Sequence, residues 1–132
     1  MNDKILDRSS YTYLNVRKIP KKVKVEFRQS CRNAGHSMED VCAALLDKYA
    51  RKPEIFKVQP TPGTREKDSF IFLRNVPRAL KAKFKSVCML REDTVEDVMY
   101  TLLLSYLKRP ELFKVRKAGR DKVWERPYKE YV

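Results

Sequence analysis

Residues 13–58 and 70–115 carry one pattern twice. Laid over each other without a gap, Pro20 falls on Pro77, the offset stays at 57 throughout, and sixteen of 46 paired positions are identical. Unrelated segments of average usage would share about three. The identities include Arg17/Arg74, Phe27/Phe84, Cys31/Cys88, Glu39/Glu96, Asp40/Asp97, Tyr49/Tyr106 and Phe56-Lys57-Val58 against Phe113-Lys114-Val115. A unit of 46 residues rarely buries enough surface to stand alone. Two such units are expected to wrap around a shared core.

Each copy reads as strand, helix, helix. In the first, Leu14 and Val16 fall on one side of a period-two segment and Tyr13, Asn15 and Arg17 on the other. In the second, Ile71 and Leu73 oppose Phe70, Phe72 and Arg74. Ile19-Pro20 and Val76-Pro77 end the strands, with proline suited to the first helical position because its missing N–H would be unpaired there. Val23, Phe27, Cys31 and Ala34 recur at helical spacing, as do Leu80, Phe84, Val87 and Cys88 in the counterpart. Gly35 suits the end of the first of these helices, whereas Glu92 at the matching position suggests a different turn. Ser37 and Thr94 read as N-caps, with Asp40 and Asp97 three residues on. The second helices carry the stripes Val41, Leu45, Leu46, Tyr49 and Val98, Leu102, Leu103, Tyr106. Pro53 and Pro110 stop them, and Phe56 and Phe113 are expected to fold back over the helix ends. This leaves an N-terminal arm (1–12), a linker (59–69) and a C-terminal tail (116–132) that mixes basic residues with Trp124, Tyr128 and Tyr131.

At 132 residues, one compact domain is expected. The chain holds 30 Lys+Arg against 17 Asp+Glu, a formal net charge of +13. Such an excess points to a partner dense in negative charge, nucleic acid or an anionic membrane, over a merely soluble basic protein. No apolar run of about 18 residues occurs, so no membrane span is expected. The first ten residues lack a signal-peptide core, which suggests a cytoplasmic protein. Cys31, Cys42 and Cys88 are an odd number without a CxxC pair and suit small buried thiols in a reducing compartment. With His36 the only histidine, a His/Cys zinc site has too few ligands, and no metal or other cofactor is expected. Nor is enzymatic activity: there is no Ser/His/Asp or Cys/His set and no glycine-rich phosphate loop. The pairs Glu39-Asp40 and Glu96-Asp97 lie in helix first turns, where dipole and capping explain them.

The order of these elements resembles the ribbon-helix-helix family of DNA-binding proteins. The resemblance rests on Val16-Arg17-Lys18-Ile19-Pro20, on Leu73-Arg74-Asn75-Val76-Pro77 and on the turn Gly35-His36-Ser37, and it covers both copies. Tandem copies in one chain of this length are similar to the TraY proteins of conjugative plasmids, which are relaxosome accessory factors and regulators of transfer genes. The resemblance implies a mostly α chain with a two-stranded antiparallel β-ribbon, a tandem ribbon-helix-helix pseudo-dimer in which one chain supplies both strands. Unpaired strands would leave backbone groups unsatisfied, and a two-stranded ribbon fits the major groove of B-DNA.

In that arrangement the outer face of the ribbon reads bases. Asn15 and Arg17, with Tyr13 at the rim, serve the first strand; Phe70, Phe72 and Arg74 serve the second. Arginine grips guanine O6/N7 and asparagine adenine N6/N7. Phenylalanine offers only contact with a thymine methyl or sugar, and the alternative for Phe70 and Phe72 is burial under the linker or tail. Phosphate contacts are expected from Lys18 and Lys21 and from the second-helix N-termini, Ser37-Met38 and Thr94-Val95. His36 is a surface turn residue with a phosphate contact as the alternative. Glu39 and Glu96 would weakly oppose a phosphate there. Because the half-ribbons differ, the expected site is asymmetric, with one chain acting as the pseudo-dimer and several side by side on longer DNA. Double-stranded DNA is thus the expected partner, alongside other DNA-processing or regulatory proteins. The competing reading is an antitoxin-like interaction module that binds a protein through its C-terminal tail. A-form RNA has a major groove too narrow for a ribbon.

Overall fold

The computed structural model describes residues 11–67 and 69–116. Most of the N-terminal arm and nearly all of the tail, including the segment in which an antitoxin-like contact is expected, lie outside the described residues. The order is β1 (Tyr11–Arg17), α1 (Lys21–Asn33), α2 (Met38–Arg51), a 3₁₀ turn (Pro53–Ile55), β2 (Phe70–Pro77), α3 (Arg78–Leu90), α4 (Val95–Lys108) and a second 3₁₀ turn (Pro110–Leu112). The described residues are mostly helical, with one two-stranded antiparallel sheet.

The strands pair as Leu14 with Leu73, Asn15 with Phe72, Val16 with Ile71 and Arg17 with Phe70. Asn15 and Phe72 hold the same place in the repeat, so the pairing is centred on that rung. Beyond it, Thr12 pairs with Val76 after a bulge. The equivalent contact at the other end is the Ile19 N–H donating to the Ser69 carbonyl at 3.0 Å.

A two-stranded ribbon is marginal by itself. Here its inner face, Leu14, Val16, Ile71 and Leu73, is buried on the helices. α1 packs on α4 and α2 on α3, so each copy's first helix meets the other copy's second helix. The rings follow the same exchange. Phe27 meets Tyr106 edge-on with centroids 5.5 Å apart, and Phe84 meets Tyr49 at 5.6 Å. Tyr49–Phe56 and Tyr106–Phe113 are both at 6.1 Å, and Phe56 stacks on Phe113 at 6.0 Å. Such pairs add about 0.5–1.5 kcal/mol each beyond the area they bury. Because Phe27–Tyr106, Phe84–Tyr49 and Phe56–Phe113 cross between copies, neither copy closes its core without the other.

Several sequence expectations need correction. β1 begins at Tyr11 and stops at Arg17, short of Ile19-Pro20, whereas β2 ends at Pro77 as expected. Pro20 and Pro77 stand one residue before the helices, as N-caps in extended conformation. Ala34 caps α1 and is exposed. The second helices are buried nearly all round, with Cys42, Ala43, Ala44, Met99 and Thr101 added to the expected stripes. They lie at the centre of the bundle, between the ribbon and the other copy's helices.

The α3–α4 turn is not different. Gly35 has φ of 77° and Glu92 φ of 59°. The His36 and Asp93 N–H groups donate to the Cys31 and Cys88 carbonyls at 3.0 Å each. These hydrogen bonds and the packing that follows outweigh the ~1–2 kcal/mol cost of a left-handed non-glycine residue. Lys18, just past the end of β1, and its equivalent Asn75, near the end of β2, take positive φ of 63° and 49°.

All three cysteines are free and buried. Burial pushes the Cys31 and Cys88 thiols from 9.0 up to about 12, and Cys42 well above its usual value. Burial likewise raises Tyr49 from 10.0 to about 12.

Two outcomes follow. Glu92→Gly should stabilise the fold by ~1 kcal/mol and Gly35→Ala should destabilise it by a similar amount, read from urea unfolding midpoints. The raised thiol and phenol values mean that the folded state holds these protons more tightly than the unfolded state. Their stabilising contribution is therefore complete below about pH 9 and falls as pH rises towards 12, which unfolding midpoints across that range will register.

Candidate nucleic-acid interface

Alternation along the paired strands places Tyr13, Asn15, Arg17, Phe70, Phe72 and Arg74 together on the outer face, all exposed. Tyr13 is 58% exposed, Phe70 37% and Phe72 45%, so the linker buries neither phenylalanine; the tail, the other cover expected for them, lies outside the described residues. Tyr13 and Phe72 stack across the ribbon with centroids 5.7 Å apart.

Two lysines hold the ends of this face. Lys81 Nζ lies 5.0 Å from the Tyr13 ring centroid and donates to the Tyr13 carbonyl at 2.7 Å. Lys24 Nζ lies 4.9 Å from the Phe70 centroid. Lys24 and Lys81 are repeat equivalents, as are Tyr13 and Phe70. Each first helix thus sends a lysine onto the other copy's strand. Sequence reasoning did not place these lysines over aromatic rings. Their identity in both copies, opposite an aromatic in both copies, was the available signal. Burial, followed by repulsion from Lys85 and Arg78, pulls the Lys81 ammonium below its ordinary pKa. A phosphate placed near it would relieve that crowding.

Asn15, Arg17, Lys18 and Phe70 line one open depression of about 420 Å³ together with Thr64 and Ser69 of the linker. The linker also shapes the flank. Thr61 Oγ1 donates to the Lys18 carbonyl at 2.6 Å, and the Lys21 N–H donates to Glu66 Oε1 at 3.2 Å. A carboxylate of the chain itself therefore occupies the start of α1, while the Lys18 and Lys21 side chains stay exposed.

The caps fall where the sequence puts them. Ser37 Oγ accepts from the Asp40 N–H and Thr94 Oγ1 from the Asp97 N–H, at 3.1 Å each. That uses one of the first-turn donors and leaves the Met38 and Val95 ends of the helices as candidate anion-facing amides. The two ends differ in charge. Arg28, Arg32, His36, Ser37 and Met38 line a depression of about 390 Å³ with Cys31 and Gly35. The residues matching the first three are Lys85, Met89 and Asp93. Asp97 at the second end also accepts the Thr61 N–H at 2.9 Å. Sequence reasoning treated the two ends alike and missed Arg28 and Arg32. Their i, i+4 spacing on α1, one turn before the Gly35 turn, was the readable signal.

Among the described residues, no group of three or more His, Cys, Asp or Glu side chains could hold a metal ion. Among them, too, no helix is long and apolar enough to cross a membrane. Comparison with protein-family models, curated proteins and solved structures finds no match to this chain.

Ser37→Ala and Thr94→Ala should each lower stability by ~1 kcal/mol through loss of the cap. Urea unfolding of the two variants checks this.

Proposed function

We propose that the chain is a tandem ribbon-helix-helix pseudo-dimer that binds double-stranded DNA sequence-specifically, with the β1–β2 ribbon in the major groove. The observation that carries this reading is the cross-copy strand pairing. It gathers six alternating side chains, two of them arginines, on one exposed face of a chain with net charge +13. A ribbon of this width suits the major groove.

The roles divide by chemistry. Arg17, Arg74 and Asn15 supply bidentate donors and acceptors for base edges. Lys18, Lys21, Lys24 and Lys81 flank the ribbon and meet phosphates, as do the α2 and α4 N-termini through Ser37-Met38 and Thr94-Val95. The α2 end, with Arg28 and Arg32, is the stronger of the two phosphate sites. The similarity to TraY proteins makes a relaxosome accessory or a transcriptional regulator the role in which such binding would serve. Because the outer faces of the two strands differ, the site is asymmetric, and longer DNA takes several chains side by side.

Selection from a random duplex library, followed by footprinting, tests the proposal. Arg17→Ala and Arg74→Ala should each lose ~1–3 kcal/mol of discrimination at one position of the recovered site. Arg28→Ala with Arg32→Ala should instead weaken binding to all duplexes and reduce the steepness of the salt dependence. Wild-type selectivity in both ribbon variants, or recovery only of perfect palindromes, would contradict the reading.

A further inference from the structure

Phe72 stands at the centre of the ribbon, directly opposite Asn15. It is 45% exposed, has no hydrogen-bonding group, and is braced from the side by Tyr13 at 5.7 Å between centroids. An exposed apolar ring at the centre of a face that also presents Asn15, Arg17 and Arg74 calls for an apolar counterpart beside the polar base edges. The major groove offers one apolar feature on base edges, the C5-methyl group of thymine. The A·T pair presents that methyl on one strand and adenine N6/N7 on the other, and Asn15 is suited to the latter.

We infer that Phe72 reads a thymine methyl at the centre of the site, with Asn15 on the adenine of the same or the adjacent pair. This rests on the ribbon docking proposed above. The alternative use of exposed aromatics is base stacking on single strands, which needs free ring faces. Here Tyr13 is already stacked on Phe72, and ammonium groups lie over Tyr13 and Phe70 at 5.0 and 4.9 Å. The ribbon therefore offers braced rings suited to packing on a methyl.

The register also sets the spacing. Arg17 lies two residues from Asn15 towards one end, and Arg74 two residues from Phe72 towards the other. At ~3.4 Å per residue, the arginines sit about 13–14 Å apart along the ribbon. With base pairs ~3.4 Å apart, that is about four base steps. The core is therefore two guanine contacts about four steps apart, with A·T between them.

The test uses the duplex recovered by selection, with each thymine of the core replaced in turn by deoxyuridine, which removes only the methyl. Binding is measured by fluorescence anisotropy for wild type and Phe72→Ala. Phe72 is exposed and outside the buried core cluster, so the variant should fold, which circular dichroism checks. For wild type, one central deoxyuridine should weaken binding about fourfold, the change given by burying one methyl at ~0.8 kcal/mol. The same replacement should leave Phe72→Ala unchanged. A flat deoxyuridine scan in a wild-type chain that still selects its site would overturn the methyl contact alone. So would a penalty that persists in Phe72→Ala. Absence of any duplex selectivity in wild type would overturn the docking and the methyl contact together.

Discussion

The structure depends on reciprocity between the two copies. Each first helix buries its phenylalanine against the other copy's tyrosine, Phe27 on Tyr106 and Phe84 on Tyr49. Each strand finds its backbone partner in the other copy's strand. Six aromatic rings form one continuous set that closes on the Phe56–Phe113 stack. Removing one copy would expose half of this set and every unpaired donor and acceptor of the remaining strand, a cost no unit of 46 residues is expected to meet.

The same reciprocity builds the outer face. Pairing centred on the Asn15–Phe72 rung turns Leu14, Val16, Ile71 and Leu73 inward, so the intervening side chains have only solvent or a partner to face. The lysines that lie over Tyr13 and Phe70 come from the helix of the opposite copy. Core and face are therefore set by one register. A slip of one residue would bury the arginines and expose the aliphatic residues.

Much of this was legible because duplication doubles the signal. Alternation in two strands, and apolar spacing repeated in two pairs of helices, named the inner face, the caps at Ser37 and Thr94, and the covering roles of Phe56 and Phe113. What escaped was tertiary. The all-round burial of α2 and α4 follows from their position between the ribbon and the other copy, which periodicity within one helix does not encode. Glu92 adopts a left-handed conformation because surrounding hydrogen bonds impose it, overriding local preference. The carboxylate of Glu66 at the start of α1 arises from a linker path that no repeat specifies. The unequal charge around the two second-helix N-termini was present in the sequence as Arg28 and Arg32 against Lys85 and Met89. It became meaningful only once the turn brought those side chains to the α2 end.

Divergence within a duplicated frame is thus where the asymmetry of the exposed face resides. The inner residues of the two copies stay interchangeable, while the outer rungs pair unlike residues, Asn15 with Phe72 and Arg17 with Phe70. The account stands or falls on one chain completing its own ribbon. Isotope-filtered NMR on a mixture of labelled and unlabelled protein tests this most directly. Cross-strand contacts between Asn15 and Phe72 should appear within the labelled chain and be absent between chains. Contacts arising only between labelled and unlabelled chains, or none at that rung, would contradict it.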